Sequence, residues 1–468
     1  MDISINDIMV LLKDYSDNDK KKIKKAYEFA ALAHNGQYRC SGEPYITHPL
    51  HVAKIVAELM PDADTICAAL LHDTIEDCNV TYEDLKHEFG ETVANLVDGV
   101  SKMSAFKFLS KKEQDLKYTR KVIIGSTKDI RTIIIKIPDK LHNMSTMKFK
   151  PKDRQVANAF EALHIFAPMA NSIGAYNWKN ELEDLSFQIL EPDIFKDLSD
   201  RRNLFYEQNS ALIKEVSDKI KMLLESNDVP CEIKSRVKNI YSIYKKTNEG
   251  NDFASIQDLL SIKIIVDELL DCYSAVHYVH REYNPLGNTF KDYIAHPKVN
   301  KYRALHSTVM VKDNVPFQMQ IKTPNMDLVD DLGLCAYWGI YGHNGYKKMQ
   351  KDLNKDFPLY SKIERFNEQY ENDEDFIYHL EAELSPYKTF VYNSSGEIIE
   401  LPYGSNVENY LTVVGINVDD VDYCTVNGKR VSLKQLLKND DLVFVKKKDQ
   451  RLVLQKWVLH SFLFLIYF

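Results

Sequence analysis

The chain is expected to fold as a multidomain protein: an all-α domain first, an α/β domain second, and a small β-rich unit third. Three observations predict this. Apolar residues recur at helical spacing through residues 1–190 with few alternating runs; after Pro230, apolar β-type runs alternate with helical stretches; and residues 386–447 carry a hairpin pattern. The 468 residues leave room for about two to four domains, each with its own core.

Helical spacing marks residues 23–35, 50–60, 64–77, 82–103, 113–126, 129–147 and 154–173. Pro61-Asp62-Ala63-Asp64 reads as a helix start, and so does Thr81-Tyr82-Glu83-Asp84, where Thr81 and Asp84 are spaced as a capping box. Glu191-Pro192-Asp193 begins a charged helix, a connector over 191–227. In the α/β domain at 228–345, residues 261–266, 307–311 and 317–321 read as strands, with one helix around 269–282 and another after Pro324. Residues 346–385 are charged and helical and are expected to link domains. In the unit at 386–447, residues 389–392 and 398–401 flank the turn Asn393-Ser394-Ser395-Gly396 and predict a hairpin. Residues 448–468 form an apolar tail, too short to supply the roughly twenty apolar residues of a membrane span. No membrane attachment is expected.

A hydrophobic fraction of 44% with 27% charged residues is ordinary for a globular protein. The net charge of −8 argues against broad nucleic-acid binding, yet permits a local basic pocket. Seven cysteines without CxxC spacing predict neither a disulfide framework nor a zinc finger, and a reducing cytoplasm is the expected location. The opening Met1-Asp2-Ile3-Ser4 has no basic-then-apolar signal pattern.

His48, the adjacent pair His72-Asp73, and Asp139 are candidate metal ligands. The pair interrupts an apolar helical run, Ile66-Cys67-Ala68-Ala69-Leu70-Leu71. Imidazoles mixed with carboxylates suit zinc, manganese or iron rather than calcium. Such an ion with open positions supplies hydroxide near neutral pH. Helical spacing sets Glu76 one turn beyond His72 and Asp77 one turn beyond Asp73. On a helix anchored by Leu70, Leu71 and Ile75, these groups would repel or stay unpaired without a cation.

The run Arg39-Cys40-Ser41-Gly42-Glu43-Pro44-Tyr45-Ile46-Thr47-His48-Pro49 resembles the N-terminal HD domain of the RelA/SpoT homologue family, as do Leu71-His72-Asp73-Thr74-Ile75-Glu76-Asp77, Leu141-His142-Asn143-Met144 and Glu181-Leu182-Glu183-Asp184-Leu185. Those enzymes make and destroy the alarmones ppGpp and pppGpp in the stringent response. The resemblance runs, more loosely, to about residue 447. It implies an HD-type hydrolase domain over 1–190, a nucleotidyltransferase-like synthetase domain over 228–345 and a β-grasp, TGS-like domain over 386–447. It also implies that His48, His72, Asp73 and Asp139 hold Mn²⁺, that Glu76 and Asp77 position or activate water, that Arg39 contacts the guanine base, and that Asn143 contacts the nucleotide. The implied reaction removes the 3′-pyrophosphate, giving GDP or GTP and pyrophosphate. Cys40 departs from the basic residue common in the family, which would weaken phosphate contacts without touching the chemistry.

The basic and aromatic segment 235–246, with Arg236, Lys238 and Lys246, resembles the ATP side of the alarmone synthetase. So do the stretches around Asp258, Lys291, Tyr302 and His306. The resemblance implies that Asp258 is a Mg²⁺ ligand and that Tyr302 stacks on the guanine of an acceptor GDP or GTP. Gln318, however, stands where the family carries a second acidic ligand. An amide brings no charge to Mg²⁺, and losing one of two carboxylates costs about a thousandfold in rate. Lys301 replaces a flexible glycine, Tyr337 a histidine and Lys263 an arginine, and lysine cannot reproduce bidentate contacts to phosphate. A synthetase fold without activity is therefore expected; Mg²⁺ and ATP enter only if that site works. The shortened stretch at 404–410 lacks the usual histidine-bearing segment, so ribosome or tRNA contact is not expected. The leading expectation is a metal-dependent (p)ppGpp 3′-pyrophosphohydrolase. The alternatives are a bifunctional synthetase and hydrolase, a non-catalytic alarmone-sensing regulator, and an HD phosphohydrolase acting on another nucleotide.

Overall fold

The computed structural model describes residues 3–101, 110–248, 252–253, 256–298, 300–312, 315–384, 388–402, 405–438 and 441–448. Every regular element described before residue 226 is helical: α1 (Ile5–Met9), α2 (Asp17–Ala33), α3 (Thr47–Ala57), α4 (Ala63–Leu71), α5 (Thr74–Asp77), α6 (Tyr82–Phe89), α7 (Glu91–Val100), α8 (Lys111–Lys128), α9 (Arg131–Ser145), α10 (Lys152–Glu161), α11 (Ala167–Ser172), α12 (Tyr176–Leu190) and α13 (Pro192–Glu225). Local chemistry sets their starts. Asp62 accepts from Thr65 N to cap α4, and Thr81 with Asp84 closes the capping box of α6.

Two expected helical runs are interrupted. The 82–103 run breaks at Gly90, whose φ of 94° ends α6 before α7 begins. The 64–77 run stops at Leu71, and His72 and Asp73 form a turn before α5. Thr74 Oγ1 donates to Leu71 O at 2.7 Å and secures that turn. Helix α4 is buried from Thr65 to Leu71, with Asp64 at its start reaching out to Lys22. Helix α9 is buried from Arg131 through Leu141, including Lys136, Asp139 and Lys140, so these three polar groups must find partners inside.

Helix α13 occupies the expected connector and buries Ile213, Val216, Ile220 and Leu224 in the core of the sheet that follows. That domain runs through β1 (Cys231–Val237), α14 (Ile240–Asn248), β2 (Leu260–Val266), α15 (Leu269–Glu282), β3 (Asn284–Pro285), β4 (Lys291–Asp292), β5 (Leu305–Met310), β6 (Pro316–Lys322) and α16 (Pro324–Leu332). The described strands form one sheet in the order β1-β2-β6-β5-β3, with β4 also on β5. Only β2 and β6 pair in parallel. The basic segment 235–246 is divided: it ends β1 and, from Ile240, begins α14.

Helices α17 (Ala336–Tyr341), α18 (Gly345–Asp356) and α19 (Pro358–Gln369) fold back on the helical domain. The Gln350 side chain bonds both Ile130 N and Thr127 O at 2.8 Å. Arg120 of α8 donates to Asn367, Tyr370 O, Glu371 O and Asp373. Met349, Leu353, Tyr360 and Ile363 are buried, so the stretch read as a charged link has an apolar face in a core. Helix α20 (Asp373–Leu384) follows.

The chain divides into two compact units, Met1–Leu380 and Glu381–Phe468. In the second, β7 (Lys388–Tyr392) and β8 (Ile398–Pro402) form the expected hairpin, with Gly396 at a φ of 79° in its turn. Helix α21 (Val407–Val413), capped by Asn406, stands in the shortened stretch and carries no histidine. Strands β9 (Val421–Val426), β10 (Lys429–Val431) and β11 (Val443–Lys447) make a sheet in the order β10-β9-β11, and a parallel bridge from Tyr392 to Leu442 joins the hairpin to it. The expected apolar tail lies outside the described residues beyond Lys448. The seven cysteines are unpaired, and no described helix is long and apolar enough to cross a membrane.

Gly333 ties α16 to the end of α11. Its φ is +60°, and a Cβ there would meet Ile173 O at 2.0 Å. Leu334 N donates to that same oxygen at 2.8 Å. Gly333→Ala is expected to cost about 3 kcal/mol or more, read as a lowered midpoint of thermal unfolding. An unchanged midpoint would contradict this packing.

Candidate active site

Helices α3, α4 and α9 bring the four predicted ligands to one point. His48 lies in α3, His72 and Asp73 in the turn after α4, and Asp139 in α9 just after Pro138. His48 Nε2 stands 3.1 Å from Asp139 Oδ1 and 3.4 Å from Asp73 Oδ2; His72 Nε2 stands 3.2 Å from Asp73 Oδ1 and 3.7 Å from Asp139 Oδ1. The two Nε2 atoms are 3.3 Å apart. Three of the four residues are fully enclosed, and Asp73 is partly so.

The remaining ring nitrogens show that this group fits a cation. His72 Nδ1 lies 2.9 Å from the Ala69 carbonyl oxygen, which only accepts, so Nδ1 carries a proton. The lone pair of neutral His72 then resides on Nε2, facing the carboxylates. His48 Nδ1 meets His142 Nδ1 at 2.7 Å, which likewise directs His48 Nε2 inward. The His142 ring is stacked between His48 and His51. Burial, helped by His48, holds its pKa down to about 2, so it stays neutral and can accept from His48. These four residues would hold a divalent ion and leave room on it for water or substrate.

The second oxygens of the carboxylates are also engaged. Lys136 Nζ donates to Asp139 Oδ2, and its ammonium lies 4.7 Å from the Tyr118 ring centroid. Burial opposes charge on both partners, yet their attraction holds Lys136 well above, and Asp139 well below, their ordinary pKa ranges. Tyr45 OH reaches Asp73 Oδ2 at 2.9 Å and Asp77 Oδ2 at 2.5 Å. Glu76 and Asp77 lie on the exposed side of the short helix α5, a rim to the buried group.

Arg39 and Asn143, the predicted nucleotide contacts, join the same assembly. Asn143 Nδ2 donates to Asp139 Oδ1 at 2.6 Å, while Arg39 Nη2 donates to Asn143 Oδ1 and Thr146 Oγ1, each at 3.1 Å. Sequence reasoning missed Tyr45, His142 and Lys136. For Lys136 a signal existed: a lysine three residues before a carboxylate within an otherwise apolar helix must be buried and paired.

The residues predicted for a second site lie on and beside one sheet, with Arg236 in electrostatic reach of both Lys238 and Tyr302. Lys238 Nζ donates to Asp258 Oδ2 at 2.7 Å, with Lys246 3.9 Å from the same oxygen. Arg236 lies on β1 opposite Ser261. Tyr302, only 5% exposed, meets His306 Nε2 through its hydroxyl at 2.5 Å, and its ring centroid lies 4.8 Å from Lys298 Nζ and 5.4 Å from Lys322 Nζ. Lys291 of β4 pairs with His306, and Gln318 of β6 lies opposite Ser261 and Thr308. The Gln318 amide oxygen accepts from Gln320 Nε2 at 2.8 Å. Lys263 and the fully buried Lys322 are held by Asp327, Asp330 and Asp331 of α16, an ion network the sequence reading did not foresee.

Comparison with known proteins matches residues 26–176 to an HD domain and residues 235–348 to a region found in RelA / SpoT proteins. The chain is 36% identical to a GTP pyrophosphokinase of Myxococcus xanthus, covering 95% of this chain and 59% of that protein. It is 32% identical to a guanosine-3′,5′-bis(diphosphate) 3′-pyrophosphohydrolase of Spiroplasma citri, covering 98% and 64%. It is 35% identical to a bifunctional (p)ppGpp synthase/hydrolase of Escherichia coli strain K12, covering 87% and 58%. The chain thus spans less than two thirds of the length of these curated relatives.

Proton release tests the metal reading of the buried group. Burial pulls the His72 pKa down, but Asp73 and Asp139 overcome it and raise it to about 10. At pH 8 the metal-free imidazole is therefore protonated, and an ion that takes the Nε2 lone pair must displace that proton. Calorimetric titration with Mn²⁺ at pH 8, in buffers of different ionisation enthalpy, is expected to show about one proton released per ion, with affinity falling as pH is lowered. Binding without proton release would contradict this.

Proposed function

The chain belongs to the RelA/SpoT family, and from that premise we propose that it is a metal-dependent (p)ppGpp 3′-pyrophosphohydrolase whose synthetase-like half is inactive. The observation that carries the hydrolase reading is the convergence of His48, His72, Asp73 and Asp139, with both imidazole Nε2 atoms turned inward. Mn²⁺ is the proposed ion; when bound, it would neutralise phosphate charge and lower the pKa of a water for attack. Arg39 binds the guanine base, and Asn143 and Thr146 hold the nucleotide beside it. Glu76 and Asp77, at the exposed rim, orient that water and take up its proton. Lys136 offsets the charge of Asp139 and fixes its outer oxygen, so the carboxylate offers Oδ1.

Loss of synthesis is supported by how the second set of residues is engaged. The Gln318 amide brings no charge and bonds to Gln320; Lys238 is neutralised by Asp258; Lys263 and Lys322 are neutralised by the α16 aspartates; and Tyr302 is covered. A bifunctional enzyme is the second reading, favoured because a relative of similar identity is named a GTP pyrophosphokinase. The unit from 386 to 447, with its hairpin, helix and three-stranded sheet, is proposed as a TGS-like domain, and the protein as cytoplasmic.

A paired assay decides between these readings. Mn²⁺-loaded protein is expected to release pyrophosphate from ppGpp, and Asp73→Ala is expected to lower that rate by about a thousandfold or more. With ATP, GDP and Mg²⁺, no ppGpp is expected above a no-enzyme control. Synthesis above the control would establish the bifunctional reading. Tight ppGpp binding without pyrophosphate release would instead favour a non-catalytic sensor, and cleavage of other nucleotides in preference to ppGpp would assign a different substrate.

A further inference from the structure

Tyr45 touches both the buried ligand group and its exposed rim. Its hydroxyl lies 2.9 Å from Asp73 Oδ2 and 2.5 Å from Asp77 Oδ2. The ring is fixed from three directions. It stacks on His34 at 4.6 Å with an interplanar angle of 15°, it meets the edge of His48 at 6.2 Å, and the Arg39 guanidinium lies 6.0 Å from its centroid. His34 is itself held by Gln37 at 2.8 Å, and Gln37 Nε2 donates to Asp77 O at 2.8 Å. The backbone of Asp77 and the ring that grips its side chain thus share one support.

We infer that Tyr45 is a positioning residue of the hydrolase site, setting the separation between the metal ligand Asp73 and the water-handling carboxylate of Asp77. This rests on the hydrolase reading above. The physical need is specific to this site. Helix α5 is a single turn, Asp77 is its last residue, and its carboxylate is exposed. An exposed side chain there samples several rotamers unless something tethers it. The phenol has a single proton, and donating it to Asp77 Oδ2, the nearer of the two carboxylate oxygens, supplies the tether. It holds Asp77 Oδ2 and leaves the other carboxylate oxygen for the water. A displacement of about 1 Å in such a group is enough to cost about a hundredfold in rate.

The test uses the full chain with Tyr45→Phe, which keeps the stacked ring and removes only the hydroxyl. Expected is a fall in kcat of about 10- to 100-fold, with KM for ppGpp and the Mn²⁺ dissociation constant each within about threefold of the unsubstituted protein. In a cycle with Asp77→Asn, the double variant is expected to be no slower than Asp77→Asn alone, because both changes remove one function. An unchanged kcat, losses that multiply in the double variant, or a loss of Mn²⁺ affinity that accounts for the whole fall would each overturn the inference. If Tyr45→Phe fails to fold, His34→Leu serves instead: kcat should fall with Mn²⁺ binding retained, and an unchanged kcat overturns it. Failure of the unsubstituted, Mn²⁺-loaded protein to hydrolyse ppGpp would strike the hydrolase reading itself, a result distinct from these.

Discussion

The structure of the first domain depends on one constraint: two carboxylates and two imidazoles share a nearly dry space at the junction of α3, α4 and α9. Charges in such a space must be compensated or they destabilise the fold. Lys136 offsets one carboxylate, and a proton on His72 serves in the absence of an ion. A divalent ion held there would displace that proton and add positive charge beside the rim, which would suit a ligand made largely of phosphate. The surrounding residues then follow from that need. His142 and the Ala69 carbonyl aim the imidazoles, Asn143 and Arg39 extend the network outward, and Tyr45 ties it to the rim.

Much of this was legible in the sequence because helices report their buried faces by periodicity and their starts by caps. Asp62 and the Thr81–Asp84 box mark true helix starts, and the imidazoles of His48 and His72, singled out with Asp73 and Asp139 from their motifs, each lie within 3.7 Å of both carboxylates. What stayed hidden depends on contacts distant in sequence. Tyr45 meets Asp73 across 28 residues and His142 meets His48 across 94, and no local pattern encodes either. The turn at His72-Asp73 was also invisible, because α4 and α5 keep an apolar spacing that a continuous helix would share. Strand β1 escaped for another reason. Its exposed Glu232 and Lys234 alternate with partly buried Cys231 and Ile233 only as far as Ser235, which is exposed too, on an edge strand, a weaker signal than the fully buried β2.

The two halves of the first unit treat their charges differently. In the helical domain, the buried imidazoles and carboxylates converge on a point that a cation can occupy. In the α/β domain, lysines and aspartates neutralise one another: Lys238 with Asp258, and Lys263 and Lys322 with the α16 aspartates. A lysine already paired in a buried network has little attraction left for phosphate. In the proposed reading, the neutral Gln318 amide and this internal pairing would act in the same direction, one lowering the charge available to Mg²⁺ and the other the charge available to a nucleotide.

The central claim is that these four side chains form one mononuclear site for a divalent ion. Pulsed electron paramagnetic resonance on Mn²⁺-loaded protein tests it most directly. The account predicts one bound ion per chain with hyperfine coupling to the nitrogens of two imidazoles, lost when His48 and His72 are both replaced. A bound ion without imidazole coupling, or one that survives the double replacement unchanged, would contradict it.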